Sequence, residues 1–308
     1  PTGSADALHM PLPTLGAWEA RQTPVGQRLD VEGFDLWMQP AEPMLPYRIL
    51  RVLLPADADL SSIRVEPARG RWAEVAGAYD LAPAPPLASA EPDGADLLSW
   101  AALPSEQVEQ GRSLQIYGHD EYWPGQPLRL AGVGAYRQWL YAEVAFYPLQ
   151  YNAARGALRQ WQGDELVLHF ARQPRAVAPA VATVEERLWL RLAPEVINPG
   201  DRLAFYPPAR RQPNDLAAGA FNNYVIITTE AIRSGSSQLA AFALAKERQG
   251  FAVKIVTEGA VADDTHYLSG ASANARADNI RNWLASRYLA EGIEYVLLIG
   301  NPHPTTFS

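Results

Sequence analysis

Five histidines, no cysteine and a handful of acidic residues toward the C-terminal end are the side chains of this chain that could do chemistry. Without cysteine these residues hold no disulfide, no thiolate metal site and no thiol nucleophile. His9, His119, His169 and His266 stand apart, with no i, i+4 partner and no H-E-x-x-H spacing, so the pattern does not support zinc. His303 follows an apolar run ending at Gly300, the kind of edge at which α/β folds place ligand sites, although a solvated loop histidine is the preferred reading. Glu258, Asp263, Asp264 and Asp278 could offer hard oxygens to Ca²⁺, and GHDEYWPG (Gly118 to Gly125) has the same two readings. Neither spacing is that of an EF-hand, and a solvated acidic loop is preferred for both. Gly235, Ser236 and Ser237 could cradle an anion at a helix N-terminus, with a plain N-cap preferred. The G-x-S-x-G elbow, the G-x-G-x-x-G turn and the G-x-x-x-x-G-K-[ST] loop are all missing, which argues against a serine hydrolase of that type and against nucleotide binding.

The elements that would position such groups fall into two kinds. From residue 11 to about 210, short runs rich in Val, Ile, Leu and aromatics recur between Pro and Gly at strand-like spacing. YRILRVLLP, SSIRVEP, RSLQIYG, YAEVAFYP, DELVLHF and ERLWLRLAP are all expected as strands of an antiparallel, sandwich-like β domain. LAPAPPLASAEP (Leu81 to Pro92) is expected to be an extended crossing segment, because proline lacks the N–H a central strand needs. QYNAARGALRQW reads as a hairpin connection in which Asn152 and Gly156 can take positive φ. Trp139, Trp161 and Trp189 alternate within these runs and are preferred as core over a sugar-stacking platform.

After about Asn214 the pattern becomes α/β. NNYVIITT is a continuous β-branched run, as expected of a strand covered on both faces in a parallel sheet. Ser236 can cap a helix whose face carries Leu239, Phe242, Ala243 and Lys246 and whose end is marked by Gly250. FAVKIVTE is a second strand. Ala277, Ile280, Trp283, Leu284 and Tyr288 form the stripe of a second helix ending near Gly292, and EYVLLIG is a third buried strand. With three strands and two helices, one face of this sheet should be sparsely covered, so a further covering segment is expected.

Composition narrows the function classes. Hydrophobic residues make up 48% and charged residues 19%, ordinary for folded protein and too apolar for a disordered tail. A net charge of -8 and a pI near 5.2 argue against a phosphate-backbone ligand, so no nucleic-acid partner is expected. No run of about 18 apolar residues occurs, so no membrane span is expected. The opening PTGSADALHM has the look of a vector-derived leader and is set aside from the fold. YPPARRQPNDLAAGAF is expected to be an exposed linker, and its dibasic Arg210-Arg211 pair is the candidate processing site.

Together these residues resemble the gingipain-like cysteine peptidases over nearly everything after the leader. EPMLPYRILRVLLPADADLSSIRVEP, DLAPAPPL and AEVAFYPLQYNAARGALRQWQGDELVLHF are similar to the family's N-terminal pro-region and its phrase Y-P-x-Q-Y-N-P-x-x-G-x-L, with Ala153 in place of a proline. YVIITTEAI, LAAFALAKERQGFAVKIVTE and ADNIRNWLASRYLAEGIEYVLLIGNP are similar to the first subdomain of its catalytic unit, through the strand ending Y-V-L-L-x-G-[DN].

The resemblance implies a β-sandwich pro-region over 11–213 and a partial caspase-like α/β peptidase domain over 214–308, with residues 1–10 as the leader. It further implies a secreted or cell-envelope zymogen acting on protein substrates, whose pro-domain inhibits or chaperones. In the family a His assists a Cys thiolate, and both lie downstream of the strand at 294–300. His303 does not match that His, so no catalytic, cofactor or metal residue is assigned here. The expected partner is the remainder of the peptidase domain, in the same protein or as a second cleaved chain, with Ca²⁺ an option for the full protein only. The competing class is a non-catalytic secreted module acting in adhesion, secretion or carbohydrate binding through surface aromatics such as Tyr122 or Trp123. A third reading is a peptidase of the secretion machinery with the same catalytic fold.

Overall fold

The computed structural model describes residues 6–88, 98–99, 107–174, 182–207, 223–257 and 272–300. The chain divides into two compact units, one built from residues 1–175 with 194–206 and the other from 176–193 with 207–308.

The first unit is nearly all sheet. Its strands are β1 (Asp6–Pro11), β2 (Trp18–Thr23), β3 (Gly26–Val31), β4 (Asp35–Leu36), β5 (Pro46–Leu53), β6 (Arg64–Pro67), β7 (Arg71–Val75), β8 (Leu87–Ala88) and β9 (Leu98–Ser99). β10 (Val108–Glu109), β11 (Arg112–Ser113), β12 (Leu128–Tyr136), β13 (Trp139–Phe146), β14 (Leu149–Asn152), β15 (Ala157–Gln162) and β16 (Glu165–Phe170) complete it. The larger sheets run β12-β13-β5-β4, β1-β16-β6 and β14-β15-β7, and all their pairings are antiparallel. One apolar cluster draws Leu50, Val52, Ala142 and Val144 from the first of these sheets and Met10, Leu166 and Leu168 from the second. The alternation read in YRILRVLLP and DELVLHF thus turns one face of each sheet onto a shared core. Each such Leu or Val contributes about 1.5–3 kcal/mol on full burial.

Proline shapes the crossing segment as expected over its described part. Ala82 N–H donates to Gln27 O (2.8 Å) and Ala84 N–H to Glu42 O (2.8 Å), so 81–84 is an extended rung tying β3 to the 40–44 turn. In the β14–β15 hairpin Gly156 takes φ +58°, whereas Asn152 keeps negative φ and instead accepts the Arg155 N–H through Oδ1 (3.1 Å).

Three expectations are corrected. Residues 6–10, set aside as leader, form β1 against β16, because Leu8 and Met10 alternate onto the core. RSLQIYG is a strand only at Arg112–Ser113; Leu114–Tyr117 is a helical turn, α1, closed by Gly118 N–H donating to Leu114 O at 3.0 Å. ERLWLRLAP is not a strand but the end of helix α2 (Ala182–Leu192). Leu188, Trp189 and Leu192 are buried while Leu190 is 65% exposed, which is helical spacing; a strand would have buried 188, 190 and 192 together. After α2, Asn198 and the short helix α3 (Arg202–Phe205) return to the β unit.

The second unit has the strands β17 (Tyr224–Ile227), β18 (Val253–Val256) and β19 (Tyr295–Leu298), all parallel in the order β18-β17-β19. Helices α4 (Glu230–Gly235), α5 (Ser237–Arg248) and α6 (Ala273–Arg287) connect them. Val225 and Ile227 pack with Trp283 of α6, and Ile226 with Leu239 and Ala243 of α5, so β17 is covered on both faces, as its unbroken β-branched run requires. Asn223 gathers the strand starts: its Oδ1 accepts Ala252 N–H at 2.7 Å and its main-chain oxygen accepts the N–H groups of Glu294 and Tyr295, each at 2.9 Å. Gly250 (φ +91°) and Gly292 (φ +68°) close the two helix-to-strand connections.

Candidate functional site

The carboxyl edge of the parallel sheet is where chemistry would be placed in this architecture. Thr228 and Thr257 extend β17 and β18 to that edge, and both are buried. Thr228 N–H donates to Val256 O (3.0 Å), and its Oγ1 has no hydrogen-bond partner among the described residues. Thr257 Oγ1 donates to Glu230 Oε2 (2.8 Å), and Arg233 lies 3.8 Å from the same carboxylate oxygen. Thr229 caps α4 by accepting the Ile232 N–H at 3.2 Å. The edge is therefore a small hydroxyl–carboxylate cluster. It can hold a polar group by hydrogen bonding.

Ser236 accepts the Leu239 N–H at 3.2 Å, which is the plain N-cap preferred above. Ser272 caps α6 in the same way through Ala275 N–H (3.2 Å). Asp278 is engaged with Arg281 at 3.1 Å, and no group of three or more His, Cys, Asp or Glu with metal-binding placement occurs among the described residues. Glu258, Asp263, Asp264, His266, His303 and the Arg210-Arg211 pair lie outside the described residues.

In the first unit the loop GHDEYWPG is occupied by protein contacts. Asp120 accepts Arg155 Nε (2.6 Å), Arg155 Nη2 (2.8 Å) and Asn152 Nδ2 (2.8 Å). The Arg155 bonds, then that of Asn152, hold its carboxyl below the usual carboxylate range. Tyr122 covers Arg159, whose guanidinium lies 3.9 Å from the Tyr122 ring centroid and 5.0 Å from that of Trp72. Burial pulls the Arg159 guanidinium below its ordinary value. Burial first, then the bond to Glu74, pushes the Tyr122 phenol up. Trp123 packs with Trp37 and Tyr147 beneath Arg129, and burial raises Tyr147 to about 12. These aromatics are tied into intramolecular contacts. Nothing in residue spacing pointed to the Asp120–Arg155–Asn152 contact or the Arg159 sandwich, since the partners lie on separate strands.

His169 pairs with Glu66 (2.9 Å) and His9 with Glu165 (3.3 Å), both across neighbouring strands, while His119 is exposed. Trp139 and Trp189 are buried, and Trp161 packs edge-on to Trp72 at 5.1 Å. All three are placed as core residues rather than as a flat binding platform.

Residues 219–307 match peptidase family C25. Among solved structures the chain is similar to one described as the complex of Porphyromonas gingivalis RgpB pro- and mature domains, at 17% identity, covering 64% of this chain and 93% of that one, with a TM-score of 0.42. It is also similar to a structure from work on the zymogenic latency of gingipain K from Porphyromonas gingivalis, at 14% identity, covering 50% and 80%, with a TM-score of 0.36. No curated protein matches the chain.

Proposed function

We propose that this chain is the N-terminal part of a gingipain-like cysteine endopeptidase. The β-rich part from β1 to about residue 213 is a β-sandwich pro-region, residues 214–308 are the first part of a caspase-like catalytic domain, and the catalytic His and Cys lie outside the chain. The observation that carries this reading is the C25 match over 219–307, which falls on the β17–α5–β18–α6–β19 segment. The state of β19 supports it. Val296 is 41% and Leu298 63% exposed on a strand whose outer edge has no partner among the described residues. Parallel sheets are normally covered on both faces, so further strands and helices of a peptidase domain are the natural cover.

In the complete enzyme an imidazole would assist a thiolate attacking the scissile carbonyl, and the sheet of this chain would position the segment that carries them. The chain alone is inert toward peptides by that mechanism, because it contains no cysteine. The β unit acts as an inhibitory or chaperoning pro-domain of a secreted or envelope-associated zymogen, and maturation cuts near Arg210-Arg211. Calcium belongs to this proposal only for the complete protein.

The test is intact mass and peptide mapping of native material, with N-terminal sequencing of any processed form. The expected result is a polypeptide carrying a cysteine, continuous with this chain or travelling with it, whose alkylation by iodoacetamide abolishes peptide hydrolysis. Hydrolysis indifferent to alkylation, or native material with no cysteine at all, sinks the proposal.

A further inference from the structure

Helix α2 lies upstream of the stretch that holds Arg210-Arg211, yet it is part of the second unit. The chain leaves the first unit after residue 175, forms α2, returns to the first unit for residues 194–206 and only then runs on through the second from residue 207. The return is firmly held in the first unit: Ile197 N–H donates to Arg51 O at 2.9 Å, and Tyr206 Oη donates to Leu54 O at 2.9 Å. Within the second unit, Arg187 of α2 donates through Nη2 to Glu294 Oε1. The Glu294 side chain is 3% exposed and that of Arg187 49%, so a buried carboxylate draws its counter-charge from α2. Asn223 Nδ2 reaches the same oxygen at 3.4 Å, and Glu294 N–H donates to Asn223 O at 2.9 Å, which ties this carboxylate to the strand starts of the parallel sheet. A carboxylate at that depth is strongly destabilising once its cation is removed.

We infer that α2 is a latch, a helix that the N-terminal part of the chain lends to the α/β unit, with the Arg187–Glu294 pair as its fastening. The reason is topological. A cut anywhere between residues 207 and 222 divides the chain downstream of α2, so the helix stays covalently joined to the first unit while remaining folded into the second. The two fragments are then held together through α2 until Arg187 lets go of Glu294. What the α/β unit takes here is a helix that presents an arginine to a buried carboxylate, and an acidic or neutral residue at position 187 does not satisfy it. The latch follows from chain order and the Arg187–Glu294 contact, and it rests on the proposed function only for the occasion on which the cut is made.

The test inserts an enterokinase recognition sequence between Arg211 and Gln212 of the full chain, cuts it, and measures the affinity of the two fragments by analytical size exclusion over a dilution series. The wild-type fragments should co-elute as one species after the cut. Arg187→Glu should weaken their association by about tenfold or more, since it leaves Glu294 without its cation and beside a second carboxylate. Arg187→Ala should weaken it in the same direction without added repulsion, and it carries the test where near-UV circular dichroism of the uncut chain shows that Arg187→Glu misfolds. The charge swap Arg187→Glu/Glu294→Arg should recover most of the loss. Because the cut is engineered and no peptide hydrolysis is read, failure of the latch is distinguishable from failure of the peptidase proposal. Wild-type fragments that part on cutting, an association indifferent to the Arg187 variants, or no recovery in the charge swap overturns the inference.

Discussion

Replacing Asn198 by alanine should destabilise the β unit far more than its loop position suggests. Asn198 is 8% exposed, and its side chain works as a missing strand for the end of β5. Leu53 N–H donates to Oδ1 at 2.8 Å, Nδ2 donates to Leu53 O at 3.0 Å, and Nδ2 also reaches Asp201 Oδ2 at 2.8 Å. Just upstream, Ile197 N–H donates to Arg51 O at 2.9 Å, so the segment lies along the same edge of β5. Asn198→Ala would leave the buried N–H and C=O of Leu53 unpaired, at about 1–3 kcal/mol each when nothing replaces the partner. Water entering the vacated volume can offset part of this, so the expected loss is about 2–4 kcal/mol. At roughly 2–4 °C per kcal/mol for a unit of this size, the melting midpoint falls by about 5–15 °C. Urea denaturation followed by tryptophan fluorescence, with the transitions of the two units fitted separately, measures it; Trp139 and Trp161 report from the β unit. Asn198→Asp keeps the acceptor for Leu53 N–H but removes the donor and sets a second carboxylate beside Asp201, so its defect should shrink at low pH. A loss below about 1 kcal/mol in Asn198→Ala, the size of an ordinary surface substitution, would refute the reasoning.

Three further outcomes are expected. Burial raises the Glu42 carboxyl above its usual value even though it accepts Trp37 Nε1 at 2.6 Å. A folded value above the unfolded one means that ionisation costs stability as pH rises through the folded value. Glu42→Gln should therefore raise the melting midpoint at pH 7, and the advantage should vanish below the unfolded value; a gain that persists in acid would contradict this. Leu188→Ala should cost about 2–3 kcal/mol and Leu190→Ala under about 0.5 kcal/mol, a contrast that follows from helical burial in α2 and that equal losses would exclude. Ser236→Ala should cost about 1 kcal/mol through loss of the α5 cap, and Ser236→Gly less; hydrogen exchange at the start of α5 is the readout.

Much of the second unit could be read from residue order alone. An unbroken β-branched run is compatible only with burial on both faces, and the Ser236 cap, the Trp283 stripe and the positive-φ glycines Gly250 and Gly292 are local rules that need no knowledge of distant partners. The same holds for the alternating strands of the β unit and for the Gly156 turn. The absence of cysteine, also plain in the sequence, removed thiol chemistry from this chain.

Tertiary structure decided what local pattern leaves ambiguous or cannot encode. LWLRL satisfies periods of both 2 and 3.6, and only the exposure of Leu190 beside buried Leu188 and Leu192 separates helix from strand. The Asp120–Arg155 pair, the Arg159 sandwich and the Asn198 clasp on Leu53 join residues up to 145 positions apart, and no spacing rule brings such partners together. Periodicity is a short-range property of the chain, whereas the pairing of charges and the closing of clefts depend on which strands meet.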